Sequence, residues 1–406
     1  MRIFVCNAGS SSLKFSLFEA DGEKLLIEGG IDWGKRPARL TLRPPGEASH
    51  VSESAPTGHG DAVACILDAL RSGPSPLLTS ASSVQAVGHR VVHGGERYSA
   101  AALITPTVLQ AIEDLSELAP LHHPASLAVI DALDRALPGV PQVAAFDTAF
   151  HATLPEAART YAVPRQWTQD WHIRRYGFHG LSHGYCAARA AQMLGRTDRR
   201  LVIAHLGNGA SMSAVRDGIC IDTSMGFTPM EGLMMGTRSG SVDPGALIHL
   251  MQNKGMDANA LHHALNHESG LLGVSGISSD MRQVQAAAEH HADARLAIEV
   301  YVHRVRQTVG AMAATLGGVD ALIFTAGVGE NAPDIRRRVC EQLDFLGLRL
   351  DGEANAACRP DADIARHDSA ARILVIATRE DVTILRETRR LLSSKNPSAS
   401  EEPRWR

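Results

Sequence analysis

Residues 7–14 combine small residues with groups that could bind phosphate oxygens. Gly9 and its small neighbours leave backbone N–H groups open beside three serine hydroxyls and the ammonium of Lys14. Phosphate oxygens bind several donors and a positive charge at once, so this composition suits them. The P-loop pattern G-x-x-x-x-G-K-[ST] occurs nowhere in the chain. An ordinary hairpin turn with a solvated lysine is the alternative interpretation.

Residues 327–332 are a second candidate, because they follow a predicted strand and open a predicted helix. They satisfy the pattern G-x-G-x-x-A, and Asp351 lies about 20 residues further on, as in a dinucleotide-binding fold. An NAD-dependent oxidoreductase is therefore a rival interpretation. The pattern is weak, since any strand-to-helix turn that holds a diphosphate at a helix N-terminus has it.

Histidine and arginine concentrate in short polar patches flanked by glycine or proline. The patches are residues 89–95, 122–124, 174–183 and 236–240. Two acidic positions, Asp147 and Glu380-Asp381, each follow an apolar run. Open α/β sheets place their ligands at the carboxyl ends of strands, so these acids are candidates for metal or substrate binding. A helix cap or a surface ion pair would explain any one of them taken alone.

Strand and helix signals alternate along most of the chain, which favours an α/β fold. One arrangement occurs twice: an apolar run, a small-residue turn, a second strand and a glycine hairpin turn. Its two copies occupy residues 3–22 and 201–218. This repeat predicts a duplicated domain. Residues 33–60, rich in Pro, Gly, Ser and Thr, are predicted to be a variable excursion.

Composition excludes several classes of protein. The net charge is −4, so no basic excess indicates nucleic-acid binding. The six cysteines have no C-x-x-C spacing and no zinc pattern, which is typical of reduced thiols. Neither a signal peptide nor a membrane span is apparent, and we expect a cytoplasmic protein without membrane contact.

Nine segments together resemble the signature segments of the acetate kinases. They are residues 7–14, 89–95, 118–122, 146–151, 176–180, 205–209, 230–240, 279–282 and 325–331. The matches keep their order and run from residue 3 to about 390. The resemblance overrides the dinucleotide interpretation, which explains only one of these segments.

The resemblance implies two duplicated actin-like (ribonuclease H-like) α/β domains with an active-site cleft between them. We expect an N-terminal domain over residues 1–149, with a C-terminal helix at about 382–395 packing back on it. Residues 150–381 would form the C-terminal nucleotide-binding domain, and residues 396–406 a flexible tail. The family transfers the γ-phosphoryl of ATP to acetate with Mg²⁺, Mn²⁺ being an alternative ion, and yields acetyl phosphate and ADP.

Site roles carry over onto the matching positions. The catalytic residues would be Arg90, His122, Asp147, His179 and Arg238, and the metal positions Asn7 and Glu380. The ATP-binding positions would be Ser10, Ser12, Lys14, His205, Leu206, Gly207, Asn208, Gly209, Asp280, Met281, Arg282, Gly327, Val328, Gly329, Glu330 and Asn331. The acetate pocket would be lined by Arg90, Val92, Leu121, Phe178 and Pro229.

Elementary chemistry refines the roles of three of these residues. Arginine offers a rigid fork of donors, so Arg90 suits the acetate carboxylate and Arg238 the transferring phosphoryl oxygens. A carboxylic acid with a pKa near 4 is ionised at neutral pH, so the nucleophile has no proton to lose. We therefore expect Asp147 to orient the metal, its waters or a cationic side chain rather than to act as a base.

Three residues depart from the usual family pattern. His123 stands where the family usually has Asn, Ser241 where it has Asp, and Arg379 where it has Asn. None of them replaces a proposed catalytic group. A homodimeric acetate kinase is the first hypothesis, a kinase for propionate or another short-chain carboxylate the second, and an actin-like ATPase module without an acceptor the third.

Overall fold

The structure is a computed structural model that describes residues 1–34, 37–73, 76–78, 83–120, 122–197 and 199–393. The chain divides into two compact units. Unit 1 contains Met1–Ala149 and the segment that begins at Arg379, and unit 2 contains Phe150–Thr378.

Unit 1 is built on one sheet whose strands come mostly from the first half of the chain. Its strands are β1 (Arg2–Ala8), β2 (Ser12–Glu19), β3 (Lys24–Asp32), β4 (Ala38–Arg43), β5 (His50–Ser54), β6 (Ala86–Val91), β7 (Ala102–Leu103) and β8 (Gln142–Phe146). Its helices before residue 150 are α1 (His59–Ser72), α2 (Pro106–Asp114) and α3 (His123–Ala136). The strand order is β5-β4-β3-β2-β1-β6-β8-β7.

Unit 2 holds a second sheet and most of the helices. Its elements are α4 (Glu156–Arg159), α5 (Arg165–Gln169), α6 (Gly180–Leu194), β9 (Arg200–Leu206), β10 (Ala210–Arg216), β11 (Ile219–Thr223), α7 (Pro244–Lys254), α8 (Ala258–His263), α9 (Gly270–Ser275), α10 (Met281–Ala287), α11 (Ala292–Leu316), β12 (Ala321–Thr325), α12 (Ala326–Asn331), α13 (Pro333–Cys340), α14 (Gly352–Ala356), β13 (Ala362–Asp363) and β14 (Arg372–Val375). The strand order is β11-β10-β9-β12-β14-β13. The last helix, α15 (Glu380–Ser393), returns to unit 1.

The two sheets share one topology. In unit 1, β1 pairs antiparallel with β2 and parallel with β6, which pairs parallel with β8. In unit 2, β9 pairs antiparallel with β10 and parallel with β12, which pairs parallel with β14. The repeated arrangement confirms the prediction of a duplicated α/β fold.

Helices cover the central strands of unit 1 on both faces, which explains their nearly continuous apolar runs. Side chains of α1 and α3 pack with those of β1 and β2 in one core cluster. On β6, a Cβ atom at Gly88 would lie only 2.5 Å from Ile384 and 2.6 Å from Thr388. Glycine at this position therefore allows α15 to lie directly on the sheet, and this contact brings the start of α15 to unit 1.

The variable excursion predicted at residues 33–60 contains regular strands that the sequence analysis did not predict. β4 and β5 extend the sheet there, and Ala38, Leu40 and Leu42 alternate with exposed or half-buried residues. The neighbouring Pro and Gly residues conceal this short alternation in the sequence. Residues 35–36 and the predicted tail at 396–406 lie outside the described residues. None of the helices in the described ranges combines the length and apolar composition needed to cross a lipid bilayer.

Candidate active site

The carboxyl ends of three parallel strands bring the predicted residues of unit 1 together. Asn7 lies near the end of β1, Arg90 near the end of β6, and Asp147 directly after β8. The backbone N–H of Asp147 donates to the carbonyl of Val91 at 2.9 Å, which continues the ladder between β6 and β8. Glu380 reaches the same edge from the first turn of α15.

Arg90 is the centre of this cluster. Its Nε donates to Asp147 Oδ1 at 3.0 Å and its Nη2 to Asp147 Oδ2 at 2.6 Å, a bidentate contact. Its Nη1 donates to Asn7 Oδ1 at 3.2 Å, and its Nε lies 3.8 Å from Glu380 Oε2. One guanidinium therefore contacts all three of the other predicted polar residues at this edge.

Charge balance explains why a guanidinium is held there. Burial by itself lowers the pKa of Arg90, but the carboxylates of Asp147 and Glu380 and the hydrogen bond to Asp147 outweigh it and raise that pKa. The side chain of Asp147 is only 1% exposed, whereas those of Arg90 and Glu380 are 18% and 17% exposed. Arg90 and Glu380 thus retain access to solvent, which a residue that contacts substrate or a metal requires.

The oxygen donors at this edge suit a hard divalent cation. Mg²⁺ is usually held by one or two protein oxygens and completed by waters and substrate phosphates. Asn7 Oδ1 and the Glu380 carboxylate are such donors. Among the described residues, no three His, Cys, Asp or Glu side chains group closely enough to hold an ion by themselves. Asn7 and Glu380 therefore fit an ion whose other ligands come from water and phosphate oxygens.

In the turn between β1 and β2, the backbone N–H of Gly9 is not open as its sequence predicts, because it is used within the turn. Gly9 N–H donates to the carbonyl of Ser12 at 2.8 Å, and the carbonyl of Gly9 lies 2.8 Å from His59 Nε2. Lys14 and Ser10 are exposed, and Ser12 is half-buried. The side chains proposed for phosphate binding are thus accessible within unit 1.

The remaining predicted residues of unit 1 follow β6 or precede α3. Val92 is buried, and His122 is the half-buried N-cap residue of α3. Leu121 lies outside the described residues. His123 is fully buried: its Nε2 accepts from the backbone N–H of His93 at 3.1 Å, and its Nδ1 lies 2.8 Å from the carbonyl of Ile112. His123 therefore holds the loop that follows Arg90.

In unit 2 the predicted nucleotide residues gather around the turn between β9 and β10. A Cβ atom at Gly209 would lie 2.8 Å from Arg238 Nη2 and 3.3 Å from His179 Nε2. A Cβ atom at Gly207 would lie 3.5 Å from the Cβ of Ala326, the first residue of α12. Glycines thus permit the close approach of three other segments to this turn, those that carry Arg238, His179 and Ala326.

The segment that carries Arg238 also reaches the turn through the backbone of Asn208. Its carbonyl accepts from Gly236 N–H at 3.0 Å, and a Cβ atom at Gly236 would lie 3.1 Å from the carbonyl oxygen of Ser279. Asp280, the next residue, caps α10 by accepting from Arg282 N–H at 2.9 Å. The Arg282 side chain is almost fully exposed, and its hydrogen bonds to Asp280 lower the pKa of that carboxyl.

The segment around α12 is fixed by groups that the sequence pattern does not reveal. Thr378 Oγ1 lies 2.9 Å from Thr325 Oγ1, accepts from Ala326 N–H at 2.8 Å, and donates to Glu330 Oε1 at 2.8 Å. The buried Arg336 donates to the carbonyls of Gly329 and Glu330 at the end of α12. Glu330 therefore contacts protein, while Gly327 and Asn331 bond to each other through Asn331 Nδ2.

His179 and Arg238 both lie beside Gly209, and each has a hydrogen-bond partner in unit 2. His179 adopts a left-handed backbone (φ 57°) as the N-cap residue of α6, and its Nδ1 lies 2.8 Å from Ser211 Oγ. Its ring stacks on that of His205, with centroids 4.2 Å apart. Arg238 Nη1 donates to the carbonyl of Pro229, one of the predicted pocket residues.

Two further features concern the predicted pocket and the departures from the family pattern. The side chain of Phe178 is 1% exposed, and its carbonyl lies 2.9 Å from His151 Nε2. Ser241 Oγ accepts from Gly232 N–H at 3.1 Å. Arg379 lies 3.3 Å from Asp381, so its added positive charge is offset by a neighbouring carboxylate.

Sequence reasoning missed Ser211, Ser213 and Thr378, and assigned no role to His183. Spacing contained a signal for the first two and His183. Ser211 and Ser213 are two residues apart on β10, so their side chains share one face of the strand. His179, the N-cap residue of α6, and His183 are four residues apart, so they share one face of the helix. No periodicity identifies Thr378, because it follows β14 in an irregular segment.

The comparisons with known proteins agree over almost the entire chain. The acetokinase family model matches residues 2–386. An acetate kinase from Gloeobacter violaceus is 52% identical, with 95% of this chain and 98% of that protein covered. The crystal structure of Porphyromonas gingivalis acetate kinase has a TM-score of 0.90 at 42% identity, with 96% of this chain and 99% of that chain covered. A propionate kinase structure from Francisella tularensis has a TM-score of 0.89 at 39% identity, with the same coverage.

These matches extend through both units and include the segments that carry the candidate site residues. They confirm the resemblance found in the sequence. The chain belongs to the acetokinase family, whose members are kinases that transfer phosphate to a carboxylate.

Proposed function

We propose that the chain catalyses reversible phosphoryl transfer between ATP and acetate, giving acetyl phosphate and ADP. The observation that carries the proposal is the bidentate Arg90–Asp147 contact beside Asn7 and Glu380, in a chain that is 52% identical to an acetate kinase. The Arg90 guanidinium is held between oxygen acceptors at the carboxyl ends of the strands. A cationic group in that position suits an anionic acceptor and a nucleotide phosphate.

The reaction itself requires no general base. An acetate oxygen attacks the γ-phosphorus, the bond from that phosphorus to the bridging oxygen breaks, and ADP leaves with the electron pair. Acetate is already ionised at neutral pH, because the pKa of such an acid is about 4. Asp147, fully buried against Arg90, therefore serves to orient the guanidinium that meets the acetate carboxylate.

His179 and Arg238 would stabilise the negative charge on the phosphoryl group as it is transferred. Catalysis of phosphoryl transfer depends mainly on positioning and on neutralising charge on the equatorial oxygens. Both side chains lie within van der Waals distance of the same point above Gly209, so both can donate to one small anionic group.

The nucleotide would be bound by the two glycine turns and the segments beside them. Lys14 and Ser10 supply exposed donors in unit 1, and Ser12 supplies a half-buried one. Residues 205–209 include the turn after β9 in unit 2, and residues 280–282 and 327–331 belong to segments that lie near it.

Mg²⁺ would be held by Asn7 and Glu380, whose oxygens suit it. When bound, the ion would neutralise charge on the β- and γ-phosphate oxygens. His122, at the N-terminus of α3, would assist in substrate binding.

A hydroxylamine-trapping assay for acyl phosphate tests the proposal. Enzyme, ATP and Mg²⁺ are incubated with acetate, propionate or butyrate, and ADP release is measured in parallel. We expect trapped acyl phosphate to equal released ADP, with acetate the best acceptor. Release of ADP that is independent of any carboxylate would instead support an ATPase without a small acceptor.

Propionate is the second candidate acceptor, favoured by the similarity to the Francisella tularensis propionate kinase. The ratio of kcat/KM for propionate to that for acetate decides between the two. A ratio above one would make propionate the preferred substrate.

We also propose a homodimer in the cytoplasm. The family resemblance supports the dimer, and six free cysteines support a reducing compartment. Light scattering of the purified chain tests the first proposal, since a dimer has twice the mass of the chain. Fractionation of cells that express the chain tests the second.

A further inference from the structure

A chain of four side chains in unit 2 links the buried strand β10 to His179. Ser213 Oγ lies 2.8 Å from His183 Nδ1, and His183 Nε2 lies 2.8 Å from Ser211 Oγ. Ser211 Oγ also lies 2.8 Å from His179 Nδ1. We call these four residues the serine–histidine relay. Ser211, Ser213 and His183 are all fully buried.

The direction of donation in the relay follows from Ser213. Among the described residues its hydroxyl makes one side-chain hydrogen bond, the one to His183. A buried hydroxyl hydrogen without an acceptor is costly, whereas an oxygen lone pair without a donor costs less. Ser213 therefore donates its hydrogen to His183 Nδ1.

The rest of the relay is then determined step by step. His183 is neutral, because burial first, and then the neighbouring His151 and His205, lower its pKa well below the usual value. A neutral imidazole that accepts at Nδ1 carries its hydrogen on Nε2, so His183 donates to Ser211 Oγ. The single hydrogen of Ser211 is then directed to His179 Nδ1.

The hydrogen bond from Ser211 fixes the tautomer of His179. A His179 ring that accepts at Nδ1 carries its hydrogen on Nε2. Nε2 lies on the side of the ring that approaches Gly209, where Arg238 Nη2 also lies. The opposite direction of donation would put a lone pair there, which an anionic phosphoryl oxygen would repel.

We propose that Ser211, His183 and Ser213 are positioning residues that hold His179 as the Nε2–H tautomer, ready to donate to an anionic oxygen of the transferring group. The inference rests on the proposed function for the identity of that anion. The tautomer itself depends only on the hydrogen bonds of unit 2. A nearby partner that orients a catalytic imidazole through its other nitrogen is a common arrangement.

Nitrogen NMR of the protein labelled at histidine tests the tautomer directly. The His179 resonances are assigned by their loss in His179→Gln. We expect wild-type His179 to be protonated at Nε2 and unprotonated at Nδ1 at neutral pH. A wild-type ring protonated at Nδ1 would overturn the proposal, whether or not the enzyme phosphorylates acetate.

Ser213→Ala tests whether the relay sets that tautomer. Without the first donor, His183 Nδ1 is unpaired in either direction of donation, so the preference for the original direction is weaker. We therefore expect the Nδ1–H population of His179 to rise above that of wild type. Ser182→Ala is the matched control, since Ser182 Oγ makes an equally short, buried contact of 2.8 Å to His205 Nδ1 outside the relay. The proposal is wrong if Ser213→Ala leaves the His179 tautomer unchanged.

Kinetics supply a second readout. Ser211→Ala removes the donor to His179 Nδ1, and we expect kcat to fall about 10- to 100-fold, the usual range for residues behind a catalytic group. KM for acetate should change little, because the acetate contacts are proposed for other residues. A rise in KM with unchanged kcat would contradict a role that acts through His179.

Discussion

The two units place different chemistry at the same positions of one duplicated sheet. At or just after the ends of β1, β6 and β8, unit 1 has Asn7, Arg90 and Asp147. The corresponding strands of unit 2 end near His205, Thr325 and Thr378. Unit 1 therefore has the charged pair Arg90 and Asp147 at these strand ends, whereas unit 2 has hydroxyl and imidazole groups.

The difference indicates how a duplicated scaffold can divide a reaction. A charged cluster suits a small carboxylate and a metal, which need strong fields in a partly desolvated site. Hydroxyl and imidazole groups suit a nucleotide, which is bound largely through backbone N–H groups and oriented donors. The variants below test whether charge matters mainly in unit 1 and hydrogen-bond direction mainly in unit 2.

The largest effect is expected for Arg90. Arg90→Ala removes the side chain that contacts Asn7, Asp147 and Glu380, and we expect kcat/KM for acetate to fall at least about 100-fold, roughly 3 kcal/mol. Arg90→Lys keeps the charge but loses the fork of donors, so it should restore little activity. Steady-state kinetics with folded protein, checked by circular dichroism, measure the effect. Near-normal turnover of Arg90→Lys would show that only the charge is needed.

Arg238 offers the parallel test in unit 2. Arg238→Ala should lower kcat/KM by about 100-fold, since one donor to developing charge is typically worth that much. The loss should appear mainly in kcat, because the contact is proposed to strengthen in the transition state. An effect confined to KM would move Arg238 from the transferring group to ground-state binding.

The role of Asp147 is tested by the pH dependence of its variant. Asp147→Asn keeps the shape of the side chain but not its charge, and we expect slow turnover at every pH together with a higher Mg²⁺ requirement. Wild-type and variant profiles of kcat/KM should therefore have the same shape. Recovery of the variant at high pH would instead favour a base.

How much the sequence could predict differs between the two units for a physical reason. Asp147 and Glu380 were conspicuous as acidic residues after apolar runs, whereas the roles of Asn7 and Arg90 came from the family resemblance. The structure brings all four together. Ser211, Ser213 and Thr378 are small neutral residues of common types. Their roles depend on which hydrogen bond each one makes, and that depends on tertiary contacts.

The same contrast applies to the fold. The duplicated hairpins were visible in the spacing of apolar runs and glycines. β4 and β5 were missed, because short exposed strands in a segment rich in Pro and Gly carry a weak pattern. The close approach of α15 to Gly88 could not be predicted, since it depends on a contact between residues about 300 positions apart in the chain.

Acid should destabilise both units over one pH range. Burial lowers the pKa of His89 in unit 1 and of His151 in unit 2 to about 4. The unfolded chain therefore binds more protons below a pH of about 6.5, and the free energy of unfolding falls as the pH decreases from there toward 4. At a pH near 5 each histidine should cost about 2 kcal/mol. Urea unfolding of wild type, His89→Gln and His151→Gln measures this, and equal pH slopes in all three would refute it.

A variant of Thr378 tests whether hydrogen bonds in unit 2 matter for nucleotide binding. Thr378→Val has nearly the same shape but loses the contacts to Thr325, Ala326 and Glu330. Ala326 has a left-handed backbone (φ 65°), so loss of the acceptor for its N–H should loosen the start of α12. We expect KM for ATP to rise about 10-fold, in line with an unsatisfied buried donor. Thr378→Ser keeps the hydroxyl and should stay near wild type; a rise as large as that of the valine variant would assign the effect to packing.

The smallest effect is expected for the acceptor pocket. Val92 is buried directly after the strand that carries Arg90. Val92→Ala removes two methyl groups, and a pocket filled by the acetate methyl should then admit one more carbon. Because overpacking of a filled site typically costs 1–3 kcal/mol, wild type should prefer acetate over propionate by about 5- to 150-fold. The variant should lose part of that preference while Arg90 continues to bind the carboxylate. The measurement is the propionate-to-acetate ratio of kcat/KM in both proteins, and a ratio unchanged by Val92→Ala would remove Val92 from the pocket and leave it a role in core packing alone.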